Sequence, residues 1–275
     1  MTTAKMQHLS AILHDLGSVV IAFSGGVDST FLAAAAFEAL GDRALAVTGI
    51  SPSVAPAERE EAAELAARIG VRHRTLDTSE MDDPRYVANG PDRCFFCKDE
   101  LFTRLEAVRR SEQFAAIVDG FNADDVGDYR PGQQAARNHG VRSPLAEAGL
   151  TKAEIRQLSQ ERGLPTWDKP AMACLSSRIP YGTPVTLEAL TRIATAEASL
   201  RLLGLRQVRV RHHDDVARIE TDAAGMALLF DAATRAKAVA EVKAAGYRFV
   251  ALDLAGYRSG SLNEAIPLIA VETPA

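Results

Sequence analysis

The chain has 275 residues, of which 47% are hydrophobic and 24% charged, and its formal net charge is -5. This length is enough for one large domain or two unequal domains, each with its own core. The longest apolar stretches, such as residues 31–37, are too short to cross a membrane, and the acidic balance disfavours a dedicated nucleic-acid-binding protein. Residues 1–8 lack the features of a signal peptide, so we expect a cytoplasmic protein with no membrane partner.

Strands and helices alternate through the first half of the chain. Short runs rich in β-branched and other apolar residues predict strands at 18–23, 44–50, 73–77 and 115–120. Helical segments are predicted between and after them, at 29–40, 56–69, 97–110 and 151–162. This alternation predicts an α/β fold with a parallel sheet flanked by helices.

The composition of the sequence changes beyond the last of these predicted helices. Residues 164–186 are rich in Pro, Gly and Ser and read as a loop. A helix at 187–203 follows, then strands at 207–212, 217–221 and 247–254 with Ala-rich helical sequence up to residue 245. We therefore predict a first domain over residues 1–180 and a smaller α+β domain over residues 181–275.

A glycine-containing loop, Ser24-Gly25-Gly26-Val27-Asp28-Ser29, lies directly between the first strand and the first helix. The glycines allow a tight turn, and a helix N-terminus offers unpaired N–H groups and a positive dipole end to an anion. An aspartate beside phosphate is explained by a bridging Mg²⁺ ion. The alternative is an ordinary Ser/Gly turn that caps the helix, and we favour the nucleotide loop.

The three cysteines, Cys94, Cys97 and Cys174, are an odd number, and nothing in the sequence implies an oxidising compartment, so a disulfide framework is not expected. The C-x-x-C pair alone is compatible with a redox pair, half a zinc site or two buried small residues. Zinc is disfavoured because no histidine stands at knuckle spacing. We favour a [4Fe-4S] cluster held by the three thiolates, which leaves one iron open to a substrate or hydrosulfide.

Two levels of resemblance follow from these motifs. The loop at 24–29 matches the SGGxDS loop of the PP-loop ATP pyrophosphatase superfamily. Several further stretches resemble the LarE family of ATP-dependent sulfur transferases, which make the nickel-pincer nucleotide cofactor of lactate racemase; they lie at residues 119–125, 128–132, 168–170, 174–178, 180–182 and 253–263. The similarity runs through nearly the whole chain.

The resemblance implies that the loop grips the β- and γ-phosphates of ATP and that Thr48 and Ser51 lie near the adenine. In that family, ATP adenylates a carboxylate of a pyridinium dicarboxylate mononucleotide, and a cysteine at the position of Cys174 attacks it. The single-cysteine members give up their own sulfur and keep dehydroalanine. The additional Cys94 and Cys97 resemble the cluster-bearing variant, in which sulfide on the open iron is the donor and the protein turns over repeatedly.

Further polar residues are candidates for the same site. Arg209 and Arg211 stand two residues apart on a predicted strand, and this pattern alone indicates a solvated face with ion pairs to Asp214 or Asp215. The resemblance instead implies that these arginines bind the substrate phosphate, with Ser177 and Glu197 beside them. Lys169 is predicted to stabilise developing negative charge. Asp28 and Asp125 are predicted to hold Mg²⁺.

The predicted function is therefore that of an AMP- and pyrophosphate-forming sulfurtransferase with ATP, Mg²⁺ and a [4Fe-4S] cluster. The expected partners are a small nucleotide substrate, a sulfide source or sulfur-donor protein, and further copies of the chain in a homo-oligomer. Two alternatives use the same activation chemistry: an amide synthetase that takes ammonia, and a tRNA thiolase. A third alternative is a nucleotide sensor or iron–sulfur carrier without catalysis.

Overall fold

A computed structural model describes residues 2–126, 131–170 and 173–258 of the chain. The chain divides into two compact units: Met1–Tyr86 with Asp92–Met172, and Val87–Pro91 with Ala173–Ala275. We call these the first and the second unit. The predicted domain boundary at residue 180 lies inside the second unit, and a domain division there stays a prediction. Parts of two stretches that carry the resemblance, 128–130 and 259–263, lie outside the described residues.

The first unit alternates helices and strands along the chain. Its strands are β1 (Val19–Ala22), β2 (Ala44–Ile50), β3 (Arg72–Asp77) and β4 (Ala116–Val118). Its helices are α1 (Thr2–Leu16), α2 (Val27–Leu40), α3 (Pro56–Ile69), α4 (Pro84–Val87), α5 (Arg93–Ser111), α6 (Pro131–Asn138), α7 (Pro144–Glu147) and α8 (Lys152–Glu161). Short 3-10 turns occur at Gly41–Arg43, Glu80–Asp82 and Ala123–Asp125.

The four described strands of the first unit form one parallel sheet in the order β3-β2-β1-β4. Alternate side chains of the central strand β1 point to opposite faces: Val19 and Ile21 belong to one buried cluster, and Val20 belongs to another. The first cluster includes residues of α1, α2, α3 and α8, and the second includes residues of α5 and α6. The predicted α/β fold is thereby confirmed.

The observed helices of the first unit differ from the predicted ones in several places, and the short helices α4, α6 and α7 were not predicted. Helix α1 has no counterpart among the predicted elements, although Leu9 and Leu13 are fully buried on it. Helix α2 begins at Val27, before the predicted start at residue 29, because Gly26 already takes the extended N-cap conformation. Helix α5 begins at Arg93, so both Cys94 and Cys97 lie within its first turns and not ahead of it.

The second unit contains α9 (Leu187–Leu202), β5 (Val208–His213), β6 (Val216–Thr221), α10 (Ala223–Phe230), α11 (Ala232–Ala244) and β7 (Phe249–Leu252). Strand β6 pairs antiparallel with β5 and parallel with β7. The Ala-rich stretch is two helices because the side chain of Asp231 accepts a hydrogen bond from the N–H of Thr234 and caps α11. A 3-10 turn covers Leu175–Arg178 inside the predicted loop.

Residues 87–91 belong to the second unit because of a buried asparagine. The Asn89 side-chain amide donates to the carbonyl oxygens of Pro180 and Thr183, each at 2.8 Å. The backbone of Val87 accepts from the N–H of Val185 at 2.9 Å. None of the described helices is long and apolar enough to span a membrane.

Candidate active site

The loop between β1 and α2 takes the form that an anion site requires. Gly25 has φ of +67°, the left-handed region that glycine enters without steric cost. The hydroxyls of Ser24 and Ser29 lie 3.1 Å apart, and the Ser29 hydroxyl donates to the carbonyl oxygen of Gly26 at 3.3 Å. Gly26 gives no side-chain cap, so the first N–H groups of α2 keep their capacity to bind an anion.

A second glycine brings the end of β4 against this loop. A Cβ atom on Gly120 would stand 2.9 Å from the backbone nitrogen of Ser29 and 3.2 Å from the carbonyl carbon of Asp28. Only glycine therefore fits at this contact. The loop follows β1, which pairs with β2 on one side and with β4 on the other, and ligands of such sheets usually bind beyond the carboxyl ends of the strands where the strand order reverses.

Asp28, the aspartate of the loop, is held by two side chains distant in sequence. The ammonium of Lys152, at the start of α8, lies 2.5 Å from its Oδ2 atom. The side-chain amide of Asn122, after β4, lies 3.5 Å from its Oδ1 atom. Mg²⁺ usually binds one or two carboxylates together with substrate phosphates. A carboxylate beside a turn that could receive phosphate fits that role, and Mg²⁺ at Asp28 stays a prediction.

The structure places the predicted Lys169 at the same loop. Its ammonium donates to the carbonyl oxygen of Gly25 at 2.9 Å and pairs with Glu61 of α3 at 2.8 Å. The guanidinium of Arg156 holds the backbone of residues 167–169 through the carbonyl oxygens of Trp167 and Lys169. A fixed cation thus stands beside the turn that would receive phosphate.

Thr48 and Ser51 lie at the end of β2, where adenine was predicted. The Thr48 hydroxyl donates to the carbonyl oxygen of Phe23 at 2.9 Å, and it lies 2.9 Å from Nε2 of His73, whose pKa is lowered by burial. The Ser51 hydroxyl lies 2.8 Å from that of Ser53, which donates to buried Glu80. These bonds brace the strand ends, and adenine contact stays a prediction.

An acidic turn follows β4. Asp125 accepts a hydrogen bond from the backbone N–H of Asn122 at 3.2 Å, and Asp124 accepts one from the N–H of Lys152 at 2.8 Å. Burial raises the pKa of Asp119, and the hydroxyl of Ser143, donating at 2.7 Å, partly opposes this shift.

Among the described residues, no group of three or more His, Cys, Asp or Glu is arranged to hold a metal ion.

The three cysteines form no disulfide, and two of them share one helix face. Cys94 is exposed and Cys97 half-buried, three residues apart in the first turns of α5. Cys174 is the N-cap residue of the 3-10 turn in the second unit. Thiolates are the protein ligands of iron–sulfur clusters, so the pair on α5 has the chemistry that a cluster requires. That all three cysteines hold one cluster stays a prediction.

The second unit contains a buried cluster of arginines and glutamates. Arg178, directly after Ser177, makes two hydrogen bonds to Glu197 of α9, at 2.8 and 3.1 Å. Glu197 also accepts from Arg201 and from the backbone N–H of Val210. Because four donors occupy this fully buried carboxylate, Glu197 serves as the counter-ion of Arg178, and a direct contact with substrate phosphate stays a prediction.

Arg209 and Arg211 extend this cluster from strand β5. Arg211 donates to Glu220 and to the carbonyl oxygen of Ser177, each at 2.7 Å. The guanidinium of Arg209 lies 4.7 Å from the ring centre of Tyr257, and burial, then the charge of Arg178, lower its pKa. Both arginines are buried, so the solvated face suggested by pattern alone is wrong. Their role as phosphate ligands stays a prediction.

Sequence reasoning gave no role to several residues that complete these two clusters, although three of them lie in the stretches 119–125 and 174–178 that carry the resemblance. In the first unit they are Gly120, Asn122 and Lys152, and in the second unit Arg178 and Glu220 are the main ones. Thr151 and Glu154 form a capping box that marks the start of α8, which was a readable signal. Nothing in that signal reveals that the next side chain, Lys152, reaches Asp28.

Comparisons with known proteins agree with these features. The family described as NAD synthase matches residues 5–92. An uncharacterized protein, slr1717 of Synechocystis, is 45% identical over 266 residues, with 97% of this chain and 99% of the relative covered. The pyridinium-3,5-bisthiocarboxylic acid mononucleotide synthase of Lactiplantibacillus plantarum is 38% identical over 266 residues, with 95% of each covered. An uncharacterized Methanocaldococcus jannaschii protein, MJ0830, is 25% identical over 241 residues, with 88% and 91% covered.

Proposed function

Because the chain belongs to the family of the pyridinium-3,5-bisthiocarboxylic acid mononucleotide synthase, we propose that it is an ATP-dependent sulfurtransferase of nickel-pincer cofactor synthesis. Its substrate in this proposal is a pyridinium dicarboxylate mononucleotide, and its product carries a thiocarboxylate. We expect it to act in the cytoplasm as a homo-oligomer. The observation that carries the proposal is the loop at 24–29, with Asp28 and Lys169 beside its phosphate-binding turn.

In the first step, residues of the first unit orient ATP so that the substrate carboxylate can displace pyrophosphate at the α-phosphorus. The N–H groups at the start of α2 and the ammonium of Lys169 bind the β- and γ-phosphates. Mg²⁺ held at Asp28, and at Asp125 as the sequence predicts, would neutralise charge on the triphosphate. An oxygen of the substrate carboxylate attacks the α-phosphorus, the bond to the bridging oxygen breaks, and pyrophosphate leaves. The carboxylate becomes an acyl-adenylate.

In the second step sulfur replaces the activated oxygen. Hydrosulfide attacks the acyl carbon, the bond from that carbon to the AMP oxygen breaks, and AMP leaves. A [4Fe-4S] cluster held by Cys94, Cys97 and Cys174 would carry the donor sulfide and allow repeated turnover. Arg209 and Arg211, with Ser177, would hold the phosphate of the mononucleotide, since planar guanidinium groups suit bidentate contact with phosphate.

The decisive experiment supplies the purified protein with ATP, Mg²⁺, a pyridinium dicarboxylate mononucleotide and sulfide under anaerobic conditions. We expect pyrophosphate and AMP to form and the substrate to gain the mass that separates sulfur from oxygen. A parallel reaction with ammonia tests the amide synthetase alternative. Pyrophosphate release with ammonia, and amide as the only product, would contradict the proposal.

The cluster is tested separately through Cys94→Ala, on the exposed side of α5. We expect the anaerobically purified variant to lose iron and the visible absorption of the cluster, and to lose repeated turnover. Glu100→Ala, on the same helix but without a thiol, is the matched control and should keep the iron. Full iron content and repeated turnover in Cys94→Ala would exclude Cys94 as a ligand of the cluster while leaving adenylation intact.

A further inference from the structure

Lys152 makes a contact that the proposed reaction does not yet use. Its ammonium lies 2.5 Å from Oδ2 of Asp28, and the amide of Asn122 occupies the other oxygen at 3.5 Å. Both oxygens of the loop aspartate therefore accept hydrogen bonds from protein donors. A metal ion bound by Oδ2 and the ammonium of Lys152 cannot occupy the same position.

The main chain at Lys152 is held firmly while its side chain is partly exposed. Its backbone N–H donates to Asp124 at 2.8 Å, and the capping box of Thr151 and Glu154 fixes the preceding turn. Glu154 is held in turn by Lys5 at 2.7 Å. The Lys152 side chain has 34% of its surface exposed, so its flexible stem can carry the charge a few ångströms without moving the helix.

The charges of the incoming ligand favour such a movement. The triphosphate of ATP is a stronger attraction for an ammonium than a single carboxylate, and Mg²⁺ is a stronger partner for the carboxylate than an ammonium. When Asp28 binds Mg²⁺ and the ammonium turns to the phosphates, each charge keeps an opposite neighbour. Neither the carboxylate nor the ammonium is left unpaired at any stage.

Building on the proposed function, we propose that Lys152 is a positioning residue of the nucleotide loop. It holds the Asp28 carboxylate while no nucleotide is bound, and it exchanges that carboxylate for the β- and γ-phosphates when ATP enters with its metal ion. Lys152 thus competes with the metal for Asp28 in the free protein and assists the nucleotide in the complex. The two effects have opposite signs, which a purely structural ion pair would not produce.

Binding measurements on Lys152→Met test this exchange without turnover. The full-length variant is titrated with Mn²⁺ alone, followed by electron paramagnetic resonance, and with α,β-methylene-ATP and Mg²⁺, followed by calorimetry. We expect Mn²⁺ to bind the nucleotide-free variant about fivefold more tightly, because its competitor is gone. We expect the nucleotide to bind about tenfold more weakly, because one charge-assisted hydrogen bond to phosphate is lost.

Two control variants separate the exchange from a general effect on α8. Lys5→Met removes a neighbouring lysine ion pair of similar length and exposure, at Glu154, and should change neither affinity. Lys152→Arg keeps the charge and should restore most of the nucleotide affinity. In Asp28→Asn, the further change Lys152→Met should no longer strengthen Mn²⁺ binding, since the shared oxygen is no longer a carboxylate.

The outcomes distinguish this inference from the proposed function. If Lys152→Met binds Mn²⁺ no more tightly than the unchanged protein, or binds the nucleotide equally well, the exchange is excluded. The proposed function survives that result as long as the unchanged protein binds the nucleotide. If the unchanged protein binds no α,β-methylene-ATP with Mg²⁺, the proposed function itself fails.

Discussion

Each of the two units contains a cluster that we propose to bind an anion, and the two clusters are built on different physical grounds. The first unit offers backbone N–H groups of a glycine turn, with lysines whose ion pairs are partly exposed: Glu61, the partner of Lys169, has 43% of its side chain exposed. The second unit offers arginines whose glutamate partners, Glu197 and Glu220, have 1% exposed. The ion pairs of the first arrangement are thus open to solvent, whereas those of the second are shielded from it.

This difference follows from what each arrangement costs to build. A turn uses N–H groups that a helix start leaves unpaired in any case, so the ligand completes it. A buried guanidinium must be matched by a carboxylate before any ligand arrives, since an unpaired buried charge is strongly destabilising. We therefore expect the first cluster to govern nucleotide binding with little effect on stability. Removing one member of the second cluster should instead strongly destabilise its unit, because the partner is left buried and unpaired.

The strongest test of this contrast removes one carboxylate from each cluster. Glu197→Ala leaves Arg178 buried without its counter-ion and should cost about 3–5 kcal/mol of unfolding free energy. Glu61→Ala removes an exposed partner of Lys169 and should cost less than about 1 kcal/mol. Urea unfolding followed by circular dichroism measures both. Equal losses in the two variants would remove the distinction between the units.

The sequence predicts the loop of the first unit better than the buried ion pairs of the second unit. The loop at 24–29 is contiguous, and its residues carry their own turn, helix start and charge, so the α/β fold and the loop were predicted directly. The buried pairs join residues far apart, as Arg178 with Glu197 and Arg211 with Glu220 do. Only the tertiary fold selects such partners. Pattern alone therefore assigned Arg209 and Arg211 to a solvated face.

The roles of Lys152 and Gly120 were not predicted for a related reason. Each lies next to a recognisable local element, a capped helix start and a strand end, but its importance depends on a contact with the loop between β1 and α2. Helix α1 was missed because nothing at its N-terminus signals a start, although Leu9 and Leu13 pack into the core. Local sequence signals predict where helices and strands lie along the chain, but they do not predict which elements contact each other.

A substitution in the first unit, Gly120→Ala, is expected to have an effect of intermediate size on stability. Gly120→Ala would place a Cβ atom 2.9 Å from the backbone nitrogen of Ser29. Backbone atoms cannot turn aside, so we expect a loss of about 2–3 kcal/mol of unfolding free energy. Chemical denaturation measures it. A smaller loss would mean that the loop moves as easily as a flexible side chain.

Gly26→Ala is the matched control for this steric effect. Gly26 has φ of -81°, which alanine adopts without strain, and its added Cβ would meet only the Ser24 hydroxyl at 3.4 Å. We expect a cost below about 1 kcal/mol, because alanine is only a poorer N-cap residue than glycine. A cost equal to that of Gly120→Ala would point to strain in the whole loop and not to the single contact.

The smallest expected effect is a pH dependence that originates in the second unit. Burial, partly opposed by Asp214, lowers the pKa of His212 below its ordinary value of 6.5, and Nδ1 of its ring lies 3.1 Å from the Tyr247 hydroxyl. As pH falls through 6.5, this histidine takes up a proton in the unfolded chain before it does so in the folded protein. Its contribution to stability is thus present above that pH and lost below it.

His212→Gln removes one titrating group and should flatten the fall of unfolding free energy between about pH 7.5 and about pH 5.5, by at most about 1.4 kcal/mol per pH unit. Tyr247→Phe keeps the imidazole and removes only its hydroxyl partner. That variant should lower stability evenly across the same interval and keep the slope, because the buried ring still resists protonation. If His212→Gln keeps the full dependence of unfolding free energy on pH, the acid sensitivity comes from other groups, and His212 makes no pH-dependent contribution to the stability of the second unit.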